Sequence, residues 1–244
     1  MTSIINIYPD EETLVEQSAD KISGLIHQTL TEQEICTFVL SGGSTPEALY
    51  SKLSSVPYNH TIQWGKVHFF WGDERCVPPG HADSNYRMAK ESLLDHIELP
   101  PENIHRISGE ISPGTAAEEY EQAVRKYVPD GNGLPRFDIT LLGIGDDGHT
   151  ASLFPDTPVL KEQKKLVASV HVPALASWRI TLTYPVINNS KSILFLVKGA
   201  SKAKIIGQVL SGSNPDNRYP VQNINPQDGQ VIWFLDKEAA AKLE

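Results

Sequence analysis

A segment of the chain from Leu141 to Thr150 combines glycines with acidic residues and a histidine in positions that suit acid–base chemistry. The apolar run that precedes it, beginning at Phe137, has the length and composition of a buried strand, so the segment is predicted to be a tight loop at a strand end. His149 would then supply a general base, and Asp147 would supply a carboxylate that fixes the tautomer of the imidazole. The alternative is a glycine-rich turn in which the histidine has no role.

A second loop has the composition of an anion-binding site. Its sequence, Ser41-Gly42-Gly43-Ser44-Thr45-Pro46, lies between a predicted strand and a predicted helix over residues 47–53. Glycines expose backbone N–H groups, hydroxyls add donors, and a helix N-terminus favours an anion. The loop lacks the ending of a nucleotide P-loop and the spacing of a dinucleotide fingerprint, so a monophosphate fits better than ATP or NAD. A tight turn without a ligand is the alternative.

Charged residues near other strand ends could complete such a site. Asp73-Glu74-Arg75 follows the predicted strand Val67–Trp71, and Arg75 could stabilise an oxyanion or a phosphate through its planar guanidinium. Arg179 and Lys202 could hold a phosphate, the first bidentately and the second as a point charge. The plainer interpretations are a local ion-pair network for the first three residues and solvated surface cations for the other two.

The same residue types also allow a metal site, which is the weaker interpretation. Oxygen and imidazole ligands from Asp73, Glu74, Asp147 and His149 would suit several cations. No helical His-Glu-x-x-His spacing supports such a site, so neither a metal nor a cofactor is expected. Cys76 lies in a loop, and no feature of the sequence selects it as a nucleophile over an idle thiol.

The elements that position these loops are alternating strands and helices. Besides the run before Gly143, apolar stretches predict strands at Ile4–Tyr8, 35–40, Val67–Trp71, 166–172, 178–183, 193–197 and 231–235. Helices are predicted from Pro9 to about Leu30, over 47–53, after a cap at Asp83 or Ser84, after a capping box at 115–118, over 201–210, and after Asp236.

This alternation predicts a three-layer α/β/α fold, with a mostly parallel Rossmann-like sheet, helices on both faces, and room for a small α/β appendage. Ligands of such sheets collect beyond the carboxyl ends of the strands. The segments 41–45, 72–75, 143–149 and 198–202 are therefore expected to meet along one edge of the sheet.

Length and composition predict a single domain over residues 1–244. The net charge of −9 argues against a general nucleic-acid surface and against anionic membranes, while leaving room for a small anionic ligand in one cleft. The two cysteines make no disulfide framework, and the first residues carry no secretory signal. We therefore expect a cytoplasmic protein, a monomer or weak homo-oligomer, whose partner is a small molecule.

In the order and spacing of its motifs the chain resembles the 6-phosphogluconolactonases, within a superfamily that includes the glucosamine-6-phosphate deaminases. The resemblance covers essentially the whole chain and rests on residues 40–46, 71–75, 83–86, 142–155, 179–181 and 198–202. It implies hydrolysis of 6-phospho-D-glucono-1,5-lactone to 6-phospho-D-gluconate, a step in the oxidative branch of the pentose phosphate pathway.

The resemblance also implies roles for individual residues. Six would hold the phosphate: Gly42, Gly43, Ser44, Thr45, Arg179 and Lys202. His149 would activate water, and Asp147 would orient its imidazole. Arg75 would stabilise negative charge on the lactone oxygen or on the product carboxylate. Asp73 would position Arg75 or a sugar hydroxyl.

Two other functions remain as alternatives. The deaminases carry a glutamate where this chain has Phe154, and usually a tyrosine where it has Arg75, so both positions favour the lactonase. A non-catalytic sugar-phosphate sensor would need an attached partner-binding or DNA-binding element. The sequence shows no helix-turn-helix extension and no basic patch that would serve.

Overall fold

The computed structural model describes residues 3–131, 133–211 and 219–243. Met1 and Thr2, part of the N-terminal stretch considered above, lie outside the described residues, as does Glu244. Numbered along the chain, the strands are β1 Ile4–Tyr8, β2 Cys36–Leu40, β3 Val67–Trp71, β4 Asp73–Arg75, β5 Asp130–Gly131, β6 Leu134–Pro135, β7 Ile139–Leu142, β8 Val167–Val172, β9 Ser177–Leu182, β10 Ser192–Val197 and β11 Gln230–Asp236.

The α-helices of the described chain lie mainly between these strands. They are α1 Glu11–Glu32, α2 Ser44–Leu53, α3 Tyr58–Thr61, α4 Asn85–Ser92, α5 Pro113–Tyr127, α6 Tyr184–Ile187 and α7 Ala203–Leu210. Helix α1 shows why the sequence pattern works: Asp10 caps it by accepting the Thr13 N–H at 2.8 Å, and its apolar positions are buried against the sheet. Within the described residues, no helix has the length and apolar character needed to cross a membrane.

A six-stranded sheet forms the centre of the fold, in the order β1-β11-β10-β7-β2-β3, and all of its pairings are parallel. Every residue of β2 and of β10 is buried. Side chains alternate between the faces of a strand, so burial at every position means that both faces of the sheet are covered. The predicted α/β fold with a mostly parallel sheet is confirmed.

A second, antiparallel sheet lies beside the first, in the order β4-β9-β8. The two strands predicted over residues 166–172 and 178–183 form its hairpin, because the four residues between them are too few for a parallel crossover. The sequence allowed a small α/β appendage without placing it; the addition to the main sheet is this all-antiparallel one. Gly72 links the two sheets: its N–H donates to Leu40 O at 2.9 Å, and its carbonyl accepts the Leu182 N–H at 2.8 Å.

Two helices begin several residues before their predicted starts, and one predicted helix does not form. Helix α2 begins at Ser44, so the loop hydroxyls lie in its first turn. Helix α5 begins at Pro113, because Ser112 caps it by accepting the Thr115 N–H at 3.4 Å; the box predicted at 115–118 does not form the cap. From Lys237 to Leu243, the last described residue, the chain makes hydrogen-bonded turns and no α-helix. The Asp236 carboxylate accepts the N–H groups of Gly199 and Ala239.

Two buried tyrosines fix strand ends next to the ligand edge of the sheet. The Tyr50 hydroxyl, from α2, accepts the Ser41 N–H at 2.8 Å and donates to Ser41 O at 2.9 Å. The Tyr120 hydroxyl, from α5, makes the same pair of bonds to Trp71, at 2.7 and 2.8 Å. Burial raises the pKa of both phenols far above the usual value, so both remain neutral. Each hydroxyl thus completes backbone hydrogen bonding where a strand stops.

Candidate active site

A cleft of about 600 Å³ lies beyond the carboxyl ends of β2, β3, β7 and β10, where the sequence predicted that the loops would meet. The structure brings all the predicted site residues together along its walls: Gly42, Gly43, Ser44, Thr45, Asp73, Arg75, Asp147, His149, Arg179 and Lys202. The predicted convergence is confirmed. Each group therefore lies within the reach of one small ligand.

His149 and Asp147 form a close pair at one end of this set. His149 Nδ1 lies 2.5 Å from Asp147 Oδ1, and the same oxygen accepts the His149 N–H at 3.1 Å. The ring stacks on Phe154, with centroids 4.0 Å apart. Since Nδ1 is engaged by the carboxylate, Nε2 is the nitrogen left to take a proton. This is the arrangement of an oriented general base.

The loop that carries this pair is shaped by its glycines. Gly145 and Gly148 close a β-turn, with the Gly148 N–H donating to Gly145 O at 3.0 Å and the Gly145 N–H donating to His149 O at 2.9 Å. A β-carbon on Gly145 would lie 2.1 Å from the His149 ring, so only glycine allows the imidazole to pack against the backbone there. Gly148 has a φ of +78°, which side chains rarely adopt.

The second loop presents a helix N-terminus to the cleft. Gly43, with a φ of +108°, is the N-cap of α2, and no side chain of the described residues caps this helix. The first N–H groups of α2 are therefore available to an anion. Gly42 packs against Asn85: a β-carbon on it would lie 2.0 Å from Asn85 Oδ1. Asn85 in turn donates to Asp73 O at 3.0 Å, which ties this loop to β4.

The buried carboxylate of Glu74 anchors β4 to the start of α4. It accepts the N–H groups of Arg75, Asn85 and Tyr86, each at 2.8 Å, and the hydroxyl of Ser84 at 3.0 Å. Burial raises its pKa, and the N–H donors offset this only in part. Sequence reasoning placed Glu74 only in an ion-pair network or a metal site, and its role as a backbone anchor was missed.

Asp73 also has a defined partner. Its carboxylate accepts the Ser152 hydroxyl at 2.6 Å, while the Ser152 N–H donates to Thr181 Oγ1 at 3.2 Å. Asp73, Glu74 and Arg75 form no ion pair within residues 3–131, 133–211 and 219–243, so the ion-pair network considered from the sequence is wrong. In the same residues no group of three or more His, Cys, Asp and Glu side chains is placed to hold a metal ion.

Two arginines lie side by side in the cleft wall. Arg75 and Arg179 are directly paired across β4 and β9. Arg75 Nη1 donates to Asp83 O at 2.5 Å, and Arg179 Nη1 donates to the Ser177 hydroxyl at 2.5 Å. Burial, together with the charge of Arg75, lowers the pKa of Arg179. Their hydrogen-bond partners among the described residues are carbonyl and hydroxyl oxygens, so both guanidinium groups can still pair with an anion in the cleft.

The two lysines of the cleft are already paired with carboxylates. Lys202 Nζ donates to Asp146 Oδ1 at 2.5 Å, and Lys198 donates to Glu11. Lys202 ends a short 3₁₀ turn, Ala200–Lys202, directly before α7. Lys198 and Asp146 were not predicted as site residues; the signal available was their position inside the quoted motifs at 198–202 and 142–155. Asn85 and Ser152 were not predicted as site residues either, although they lie inside the quoted motifs at 83–86 and 142–155.

Comparison with known proteins identifies the family to which the chain is similar. The family model described as glucosamine-6-phosphate isomerases/6-phosphogluconolactonase matches residues 9–233. A 6-phosphogluconolactonase of Nostoc sp. is 39% identical, with all of this chain and 99% of that protein aligned. A 6-phosphogluconolactonase of Arabidopsis thaliana, named as chloroplastic, is also 39% identical, over 98% of this chain and 75% of that protein.

Among solved structures, the 6-phosphogluconolactonase of Trypanosoma brucei superposes with a TM-score of 0.88 at 29% identity, covering 100% of this chain and 99% of that one. The family match spans nearly the whole chain and includes every loop of the cleft. The chain therefore belongs to the glucosamine-6-phosphate isomerase/6-phosphogluconolactonase family.

Proposed function

We propose that this protein hydrolyses 6-phospho-D-glucono-1,5-lactone to 6-phospho-D-gluconate. The observation that carries the proposal is that an oriented histidine, an uncapped helix N-terminus and an arginine pair line one cleft of about 600 Å³. A phosphorylated sugar lactone needs one group to activate water and a separate group to hold the phosphate. The names of the similar proteins support the same substrate.

In the proposed reaction His149 acts as a general base. Nε2 takes a proton from water while the water oxygen attacks the lactone carbonyl carbon, and Asp147 stabilises the imidazolium that forms. The tetrahedral intermediate then expels the ring oxygen, which receives the proton back from Nε2, so the ester bond is broken with no net change of the enzyme. Because a lactone is already electrophilic, a base that contributes about a hundredfold or more suffices without a covalent intermediate.

The remaining residues position the substrate. Gly42, Gly43, Ser44 and Thr45 would hold the phosphate with the α2 N-terminus, together with Arg179 and Lys202. Arg75 would stabilise the negative charge that develops on the carbonyl oxygen. Asp73, whose carboxylate accepts the Ser152 hydroxyl, would position Arg75 or a sugar hydroxyl. Binding of the remote phosphate would orient the reacting carbonyl toward His149.

A proton-release assay with freshly made 6-phosphogluconolactone tests the proposal directly. The rate must be corrected for spontaneous hydrolysis of the lactone, and His149→Ala provides the matched control. The unchanged protein is expected to hydrolyse the lactone faster than the spontaneous rate, and His149→Ala is expected to lose this activity. A rate equal to the spontaneous one would contradict the proposal, and ammonia release from glucosamine 6-phosphate would favour the deaminase in its place. Tight binding of 6-phosphogluconate without turnover would favour the sugar-phosphate sensor.

The other sequence-based expectations complete the proposal. We expect one domain over residues 1–244, a cytoplasmic location, no metal or cofactor, and no nucleic-acid or membrane partner. A monomer or weak homo-oligomer should elute from a sizing column near the mass of 26.9 kDa or in exchange with a small assembly. Activity should survive treatment with a chelator.

A further inference from the structure

Two adjacent aspartates in the loop that carries His149 contact two different basic residues. Asp146 and Asp147 are the central residues of the β-turn closed by Gly145 and Gly148. Asp147 bonds His149, whereas Asp146 Oδ1 lies 2.5 Å from Lys202 Nζ. One turn therefore holds both the proposed base and a cation proposed to bind phosphate. The proposed function uses Asp147 and leaves Asp146 without a role.

The cationic side chains that line the cleft differ in whether they already form an ion pair with a carboxylate. Within the described chain, Arg75 and Arg179 donate to carbonyl and hydroxyl oxygens only. Lys202 is instead neutralised by Asp146. A phosphate entering the cleft can thus reach Arg179 without displacing an acid, but it reaches Lys202 only in competition with Asp146.

We propose that Asp146 is a specificity-determining residue that competes with the substrate phosphate for Lys202. The inference rests on the proposed function, in which Lys202 binds phosphate. The Asp146 carboxylate occupies the position at the Lys202 ammonium group that the substrate phosphate would take. A phosphorylated ligand has to displace or share this contact, and an unphosphorylated lactone leaves it in place. Asp146 therefore weakens phosphate binding and favours release of the phosphorylated product.

The size of the effect follows from the exposure of the pair. The Asp146 side chain is 77% exposed and the Lys202 side chain 26% exposed, so water screens their attraction. Exposed ion pairs typically shift an equilibrium by a small factor, about two- to fivefold. Removing the Asp146 charge should tighten phosphate binding by about that factor. If Asp146 served only to hold Lys202 in place, the same change would weaken binding, so the two roles predict opposite signs.

Asp146→Asn tests the proposal, because asparagine keeps the size of the side chain and removes its charge. Asp156→Asn is the matched control: Asp156 lines the neighbouring cavity together with Asp146 but forms no hydrogen bond with Lys202 among the described residues. Its φ of +60° is one that asparagine tolerates. Dissociation constants for inorganic phosphate and for 6-phosphogluconate would be measured by titration calorimetry at low and at physiological ionic strength.

The expected result is an affinity about two- to fivefold higher for Asp146→Asn, no change for Asp156→Asn, and a smaller effect at the higher salt concentration. In a Lys202→Ala background the gain from Asp146→Asn should largely disappear. Unchanged or weaker binding by Asp146→Asn, or an equal gain without Lys202, would overturn the proposal. The proton-release assay on the unchanged protein judges the lactonase function separately, so failure of one is distinguishable from failure of the other.

Discussion

Arg75 and Arg179 face each other across two antiparallel strands, although both carry a positive charge. Opposite positions on neighbouring strands bring side chains into contact, and like charges placed there are destabilising. Burial is the main cause of the lowered pKa of Arg179, and the charge of Arg75 lowers it further. An anion in the cleft would relieve the repulsion between the two charges, which makes the pair a natural recognition element for a phosphate or for a developing oxyanion.

Arg179→Ala is expected to reduce the preference for a phosphorylated over a plain gluconolactone. A charge-assisted hydrogen bond to phosphate typically contributes about 1.5–3 kcal/mol, so kcat/KM for the phosphorylated lactone should fall about ten- to hundredfold. The plain lactone should be affected much less. Lys202→Ala should reduce kcat/KM for the phosphorylated lactone less than Arg179→Ala does, because Asp146 already competes for the lysine. Equal losses on both substrates would argue against a phosphate role for these residues.

Glu74→Gln should destabilise the protein and lower turnover together. The glutamine amide presents an NH₂ group to backbone donors that now meet a carboxylate, so buried N–H groups of Arg75, Asn85 or Tyr86 lose their acceptor. The expected loss is about 2–4 kcal/mol in the free energy of unfolding. Urea unfolding measures it, with Glu118→Gln on the exposed face of α5 as the control. A stable Glu74→Gln protein with full activity would show that the anchor is dispensable.

Tyr50→Phe isolates the anchor of the phosphate loop. Without the hydroxyl, the N–H and carbonyl of Ser41 lose their buried partner, which should cost about 1–3 kcal/mol of unfolding free energy and raise KM for the phosphorylated lactone. Tyr8→Phe is the comparison, since in the described part of the chain the Tyr8 hydroxyl forms no hydrogen bond and its ring stacks on Phe234. The same effect from both variants would refute the assignment.

His68 and His105 do not line the cleft, and their contact leads us to expect a loss of stability in acid. His68 Nδ1 lies 2.9 Å from His105 Nε2, so one ring donates to the other and both are neutral. Burial lowers the pKa of His68. Burial, the proximity of His68 and the charge of Lys126 together lower the pKa of His105 to about 4. An unfolded histidine has a pKa of about 6.5, so as the pH falls from 6.5 toward 4 the unfolded chain binds a proton that the folded chain does not.

Stability is therefore retained above pH 6.5 and lost below it, with about 2 kcal/mol from His105 between pH 7 and pH 5. Urea unfolding at several pH values would measure the slope. His105→Phe, which keeps an aromatic ring against Phe70 and Tyr127, should flatten it, and His60→Gln on the exposed surface should not. An unchanged slope in His105→Phe would contradict the assignment.

The sequence predicted the position of site residues correctly where a loop follows a buried strand of the parallel sheet. Gly42–Thr45, Arg75 and His149 could be expected in one cleft because the carboxyl ends of parallel strands share an edge. The antiparallel pairing of Arg75 with Arg179 was not predictable in this way, since it depends on a short hairpin that leaves the main sheet. The contact between Asp147 and His149 was expected from the sequence, whereas the contact between Asp146 and Lys202 was not, because it joins two loops that are far apart in the chain.

The central claim, that His149 is the base, is tested most directly by His149→Ala. Turnover of 6-phosphogluconolactone is expected to fall about a hundredfold or more in this variant. The dissociation constant for 6-phosphogluconate should stay within about twofold, because other residues of the cleft would hold the phosphate. Unchanged turnover in a folded His149→Ala protein would contradict the account.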